Sequence, residues 1–250
     1  MHSLCLQSPR SDECIVVGHM HVRLAWILRT LPRFAILLTA VAELASGNTL
    51  YGGFCVVALA LTLVPAIRAR NLDAGIPIEL ELAVLWLMVT DMTLGNSIGL
   101  YQLPWYDKTL HLSSSMLVAT IGFLAIYLLH LTYATRFHPW LDGLAILLVT
   151  LGVGALWEIA EYLVDHLFGL RTQGAPNLNA LDDTMFDLIL DGVGGLLGSV
   201  LGPLYIRHSK RSRHRVETFA RMIARREHRA KSRGRRRHAA GGDALARSSE

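Results

Sequence analysis

The chain has 250 residues, 52% of them hydrophobic and 18% charged, with a net charge of +4. That charge is divided: 15 of the 24 bases but only 4 of the 20 acids fall in 207–250, so the tail carries +11 and the body, 1–206, carries −7. A body this apolar and acidic excludes an ordinary soluble domain, and it argues against nucleic-acid binding, which needs a basic face. Apolar runs of about 17–25 residues, the length that crosses a bilayer, occur six times. The first covers roughly 32–47, with Pro32 at a tolerable helix start and 24–31 as an oblique extension. The others cover about 50–67, 77–95, 108–133, 141–168 and 182–206. Each is long and lacks period-two alternation, so helices are expected rather than barrel strands.

The expected fold is an all-α polytopic transmembrane bundle of about six spans. Residues 32–206 form the membrane domain, 1–31 an N-terminal cytoplasmic or interfacial segment, and 207–250 a basic cytoplasmic tail. Arg23, Arg29 and Arg33 precede span one, Arg68 and Arg70 follow span two, and Arg136 follows span four; the remaining loops hold only Lys108 and Arg171. Placing both termini in the cytoplasm gathers every basic loop on one side, which predicts a multi-pass protein of the bacterial inner membrane. The N-terminus lacks the basic–apolar–small-residue order of a cleavable signal, so the first span is expected to stay in place. Cys5, Cys14 and Cys55 form neither a CxxC pair nor an even set.

With that orientation, the ionisable residues of the spans gather toward the outer side. Glu43 and Asp91 end spans one and three; Asp107 and His111 open span four; Glu158, Glu161 and Asp165 close span five; Asp183, Asp187 and Asp191 open span six. A carboxylate inside a bilayer costs at least a few kcal/mol, so such a cluster is a functional-site hypothesis by default. Residues three, four or seven apart share a helix face. Asp107 and His111 are four apart, with Ser114 and Ser115 a turn further on. Glu158, Glu161 and Asp165 are spaced three and four. Asp183, Asp187 and Asp191 are spaced four and four, with Thr184 on the stripe of the last two. Three helices thus each present a polar stripe to the bundle interior.

These carboxylates need counter-charge. Lys108 and Arg171 are the nearby bases, and His111 and His166 can add protons; otherwise protons, monovalent ions or a divalent metal ion must supply it. Carboxylates with one or two imidazoles suit Mg, Mn, Zn or Fe according to geometry. The candidate ligands are Asp107, His111, Glu158, Glu161, Asp183, Asp187 and Asp191, and the candidate acid–base groups are His111, Glu158 and Glu161. Plainer readings stand beside this. Asp107 and Lys108 suit an interfacial helix start, Asp182 suits a cap on the last helix, and Asp165 and His166 suit a watery loop. Glu79 and Glu81 suit the opposite interface. Glu158, Asp187 and Asp191 lie one to three turns inside apolar sequence and resist such readings.

Gly194, Gly198 and Gly202 form a GxxxGxxxG stripe that permits close helix approach, for packing within the fold ahead of a dimer seam. Trp86, Trp105, Tyr106 and Trp140 fall at depths suited to packing or interfacial anchoring, Trp157 stands beside Glu158, and the turn-rich loop 169–181 is placed to cap the cavity. In the tail, Val216, Phe219, Met222 and Ile223 recur at helical spacing among arginines. They describe either an amphipathic helix on anionic lipid or a disordered topology-setting tail.

The stretch 105–198 resembles the YjdF-like family of uncharacterised bacterial integral membrane proteins. The resemblance is carried by Trp105-Tyr106-Asp107-Lys108 with His111, Gly154-Ala155-Leu156-Trp157-Glu158-Ile159 with Glu161, Thr172-Gln173-Gly174, and Asp182-Asp183-Thr184 with Asp187-Leu188 and Asp191-Gly192. A looser similarity to VanZ-like proteins rests on the Asp-Lys-x-x-His start and the late Asp helix, with Asp191 where that pattern often has Asn. The first resemblance implies a multi-span bacterial membrane protein and lends no activity; the second implies an association with the cell envelope. Three functions compete. One is a metal-dependent membrane enzyme acting on a lipid head group or envelope precursor. Another is a cation- or proton-coupled transporter, and the third is a non-catalytic envelope protein. An alcohol-phosphotransferase signature is rejected, because its Ala-Arg and second Gly-x-x-x-Asp are missing.

Overall fold

A computed structural model describes residues 11–69, 78–133, 135, 138–170, 172–173, 178–210, 213–214, 216–218 and 220–221. Arg136, Arg171, loop residues 174–177 and the tail beyond 221 lie outside them. The described residues are helical, with no strand: α1 is Ser11–Ala45, α2 Thr49–Ala69, α3 Ile78–Val89, α4 Tyr106–Tyr133, α5 Pro139–Phe168 and α6 Ala180–His208. Four helices are long and apolar enough to cross a membrane, over Leu24–Ala45, Tyr106–Tyr133, Pro139–Phe168 and Ala180–His208. Of the other two expected spans, one is the shorter apolar helix Thr49–Val64. The other changes character midway, because α3 runs directly into a π-helix, Thr90–Ser97.

Two expected boundaries are corrected. Pro32 does not start the first span but lies inside α1 with its ring fully buried, so the 24–31 extension is part of the same helix. The cap of α6 is Asn179 rather than Asp182. The Asn179 side-chain oxygen accepts from Asp182 N at 3.0 Å, and its amide donates back to the Asp182 carboxylate at 2.8 Å. Asn in extended backbone meets the orphan N–H groups of a first turn as well as Asp does, and it stands one residue before the helix.

The described residues fall into two compact units, divided within α4 between Leu110 and His111. In the first, α1, α2, α3 and the π-helix bury Ile36, Ala40, Cys55, Ala58, Val89 and Met92. At one end, Arg29 and Arg33 each grip one oxygen of Glu81, at 2.7 and 3.1 Å, and Arg33 also donates to Thr62 O. These arginines, which the sequence presents as topology signals, thus also tie α1 to α3. Glu81→Ala would leave two part-buried guanidinium groups without their carboxylate. It should cost about 1–3 kcal/mol, read as a lower unfolding midpoint in detergent, while Glu81→Asp recovers part of it. At the other end, Glu43 accepts from Ser97 and Asn48, and Asp91 accepts from Tyr101. A π-turn holds one more residue per hydrogen-bonded ring than an α-turn. The Ile98 N–H accordingly reaches back to Thr93 O, while Tyr51 and Tyr106 hydroxyls donate to Met92 O and Thr90 O at 2.8 and 2.7 Å.

The second unit is built from α4 beyond His111, α5 and α6. The glycine stripe packs within it. Gly194 lies against Ser115 and Leu112 O, Gly198 against Ala119 and Met116 O, and Gly202 against Phe123, all from α4, while Gly195 faces Leu147 and Thr150 of α5. Outward positions such as Leu148, Leu156, Ile189 and Val200 are exposed, which is the arrangement a lipid surround favours. The start of the tail is helical at 213–214, 216–218 and 220–221, with Val216 and Ala220 buried.

Candidate functional site

Three helices of the second unit each deliver acidic or imidazole groups to one buried cluster. From α4 comes His111, 7% exposed; from α5, Glu158; from α6, Asp187 and Asp191, each 1% exposed. The four-residue spacing of α6 keeps Asp183, Asp187 and Asp191 on one buried stripe. Gly154 allows the approach of α6 to α5: a Cβ on it would collide with the Asp191 carboxylate.

The two imidazole nitrogens meet different surroundings. His111 Nδ1 lies 3.4 Å from Asp191 Oδ1, which also accepts the Ser115 hydroxyl. His111 Nε2 faces Glu158 Oε1 at 3.6 Å and Asp187 Oδ1 at 3.9 Å. Of these three contacts only Nδ1–Asp191 is within hydrogen-bonding distance, so an imidazole protonated on Nδ1 donates to Asp191 and turns its Nε2 lone pair toward the other two carboxylates. Ser115 bonds the aspartate and not the imidazole, so this trio lacks the serine–histidine contact that activates a nucleophile.

Glu158 is held from its other side. Thr184 Oγ1 donates to Glu158 Oε2 at 2.7 Å and accepts from Gln173 Nε2 at 3.2 Å, and Gln173 Nε2 also reaches Glu158 O at 3.3 Å.

Residues 24–208 match the family described as "Predicted membrane protein (DUF2238)". The chain belongs to this family. An uncharacterized protein of Thermotoga maritima is similar to this DUF2238 protein, 33% identical over 136 residues, which cover 52% of the chain and 65% of the relative. The chain therefore spans less than two thirds of that relative's length. No solved structure matches the chain. Family and helices together make it a multi-pass membrane protein.

The remaining candidates lie on the same three helices. Asp107 lies one turn before His111 on α4 and pairs with Lys108 at 3.1 Å. Asp183, 4% exposed, lies one turn before Asp187. Glu161 is half-buried and accepts from the Trp157 indole N–H at 2.8 Å. His166 is exposed and stacks on Tyr162. Asp165 does lie where helix meets loop, but it is fully engaged: Thr172 N and Oγ1 donate to one oxygen and Gln173 N to the other. Gly154 and Gln173 are the participants that spacing rules pass over. A bare backbone and a loop amide carry no periodic signature of chemistry.

Proposed function

We propose that the cluster binds one divalent metal ion, with His111 Nε2, Glu158 and Asp187 as ligands and Asp191 as the carboxylate that orients His111. The observation that carries this reading is the division of labour at His111, with one nitrogen fixed by an aspartate and the other turned toward two carboxylate oxygens. Metal-ligating histidines usually donate their second ring N–H to a carboxylate in this manner. Donors of one ion, each about 2.0–2.2 Å from it, stand roughly 3–4 Å from one another, and His111 Nε2 keeps 3.6 Å from Glu158 Oε1 and 3.9 Å from Asp187 Oδ1. Oxygen and imidazole donors suit Mg, Mn, Zn or Fe. Asp107 and Asp183 each lie one helical turn from a proposed ligand.

The activity we assign to this site is that of a metal-dependent membrane enzyme acting on a lipid head group or envelope precursor in the outer leaflet of the bacterial cytoplasmic membrane. A bound metal ion supplies an activated water and a Lewis acid for a phosphoryl or carbonyl oxygen. The acidic surroundings, short of arginine, would otherwise repel a phosphorylated substrate. Glu161 serves as the acid–base group at the rim. The basic tail rests on anionic lipid of the opposite face, with both termini in the cytoplasm.

Elemental analysis of detergent-purified protein from metal-replete cells tests the site. About one metal ion per chain is expected in the wild type, and none in the Asp187→Ala/Asp191→Ala variant. Absence of metal from both proteins, prepared without chelator, overturns the metal reading in favour of a proton-linked or structural cluster.

A further inference from the structure

The α5–α6 loop begins as a strap folded back onto its own helix. Gly169, at φ 67°, ends α5 by donating to Asp165 O, which reverses the chain and brings residues 172–173 over the last turn. Asp165 then spends both oxygens on the strap: Thr172 N and Oγ1 donate to Oδ1, each at 2.7 Å, and Gln173 N donates to Oδ2 at 2.9 Å. Gln173, half-buried, reaches further in, its amide spanning Glu158 O on α5 and Thr184 Oγ1 on α6. Because Thr184 accepts from Gln173, its own proton goes to Glu158 Oε2, which leaves Oε1 turned toward His111 Nε2. Hydrogen bonds thus run from the Asp165 carboxylate through Gln173 and Thr184 to Glu158, whose other oxygen stands 3.6 Å from His111 Nε2.

We infer that Asp165, Gln173 and Thr184 are positioning residues of this site, and that the Asp165-held strap is the closure through which ions and reagents reach His111, Glu158 and Asp187. The inference rests on the cluster being a binding site, as proposed above, but the strap makes a demand of its own. His111 is 7% exposed, so a reagent that attacks imidazole must wait for an opening. An opening that breaks three hydrogen bonds to one aspartate is far rarer than one that breaks none.

Diethylpyrocarbonate modification of the intact protein in detergent, followed residue by residue by mass spectrometry, tests it. The exposed His138 and His208 serve as internal references. Asp165→Asn and Gln173→Ala should each raise the modification rate of His111 by about tenfold, the equivalent of roughly one lost hydrogen bond, with both references unchanged. Thr184→Val should do the same, and Thr184→Ser should restore the wild-type rate. A merely structural weakening would raise the half-buried His130 together with His111. If Asp165→Asn unfolds, the Gln173 and Thr184 variants decide. His111 rates equal to wild type in those variants overturn the closure. The wild type is also run with and without chelator. If chelation leaves His111 unchanged, the metal reading fails, while the strap still stands or falls on its variants.

Discussion

Gly198→Ala in α6 should lower the unfolding midpoint of the purified protein by several degrees and reduce its folded yield, although it adds only a methyl group. The Cβ would meet Ala119 Cβ and, at 2.8 Å, Met116 O of α4. A carbonyl oxygen is backbone and cannot rotate away, so the two helices must separate. Overpacking of this kind costs about 1–3 kcal/mol, and Gly194→Ala, facing Leu112 O at 2.8 Å, should add a comparable penalty. The contrast is Gly152→Ala on α5. A Cβ there meets nothing within 4 Å, and alanine outranks glycine in a helix by up to about 1 kcal/mol. That variant should match or exceed the wild type. Equal midpoints for Gly198→Ala and Gly152→Ala would refute the close seam between α4 and α6.

Asp187→Asn should abolish metal binding, whereas Asp191→Asn should weaken it by about 10–100-fold without abolishing it. The two residues are one turn apart, equally buried and chemically identical, so composition cannot distinguish them. Their neighbours do. Asp187 faces Nε2 at 3.9 Å, while Asp191 stands 3.4 Å from Nδ1 and accepts the Ser115 hydroxyl. Asparagine at 191 keeps a carbonyl oxygen for both donors and loses only the charge that favours the ligating tautomer. Asparagine at 187 removes a ligand. Titration of each variant with Mn or Zn against a competing chelator measures the difference. The reverse order of effects would exchange the two roles.

The helices were legible because bilayer-length apolar runs leave little choice of structure, and the interior stripe was legible because helical spacing fixes it. Asp183, Asp187 and Asp191 are all buried, as their spacing demands. Their partners were less legible. Spacing puts Glu161 on the face of Glu158, yet its carboxylate accepts from Trp157 on the neighbouring turn. The same spacing treats Asp187 and Asp191 alike, because it ranks positions along a helix and says nothing of which ring nitrogen waits opposite. The change from α- to π-helix at Thr90 depends on tyrosine hydroxyls from distant parts of the chain, which no local reading of 77–95 contains. Pro32 was read at a helix start, where proline is at ease; it is buried mid-helix instead. Gln173 belongs to the Thr172-Gln173-Gly174 piece of the resemblance, but its role comes from the fold bringing Asp165 and Thr184 to it from either side.

Helix α6 carries two kinds of surface along one seam, aspartates first and bare glycines afterwards. Past Asp191 the backbone of α4 lies directly on Gly194 and Gly198, leaving no room for a water molecule, let alone a hydrated ion. Along this seam the polar half is therefore a cul-de-sac. A molecule or ion that enters between α4 and α6 at the aspartates cannot pass along this seam beyond Gly194.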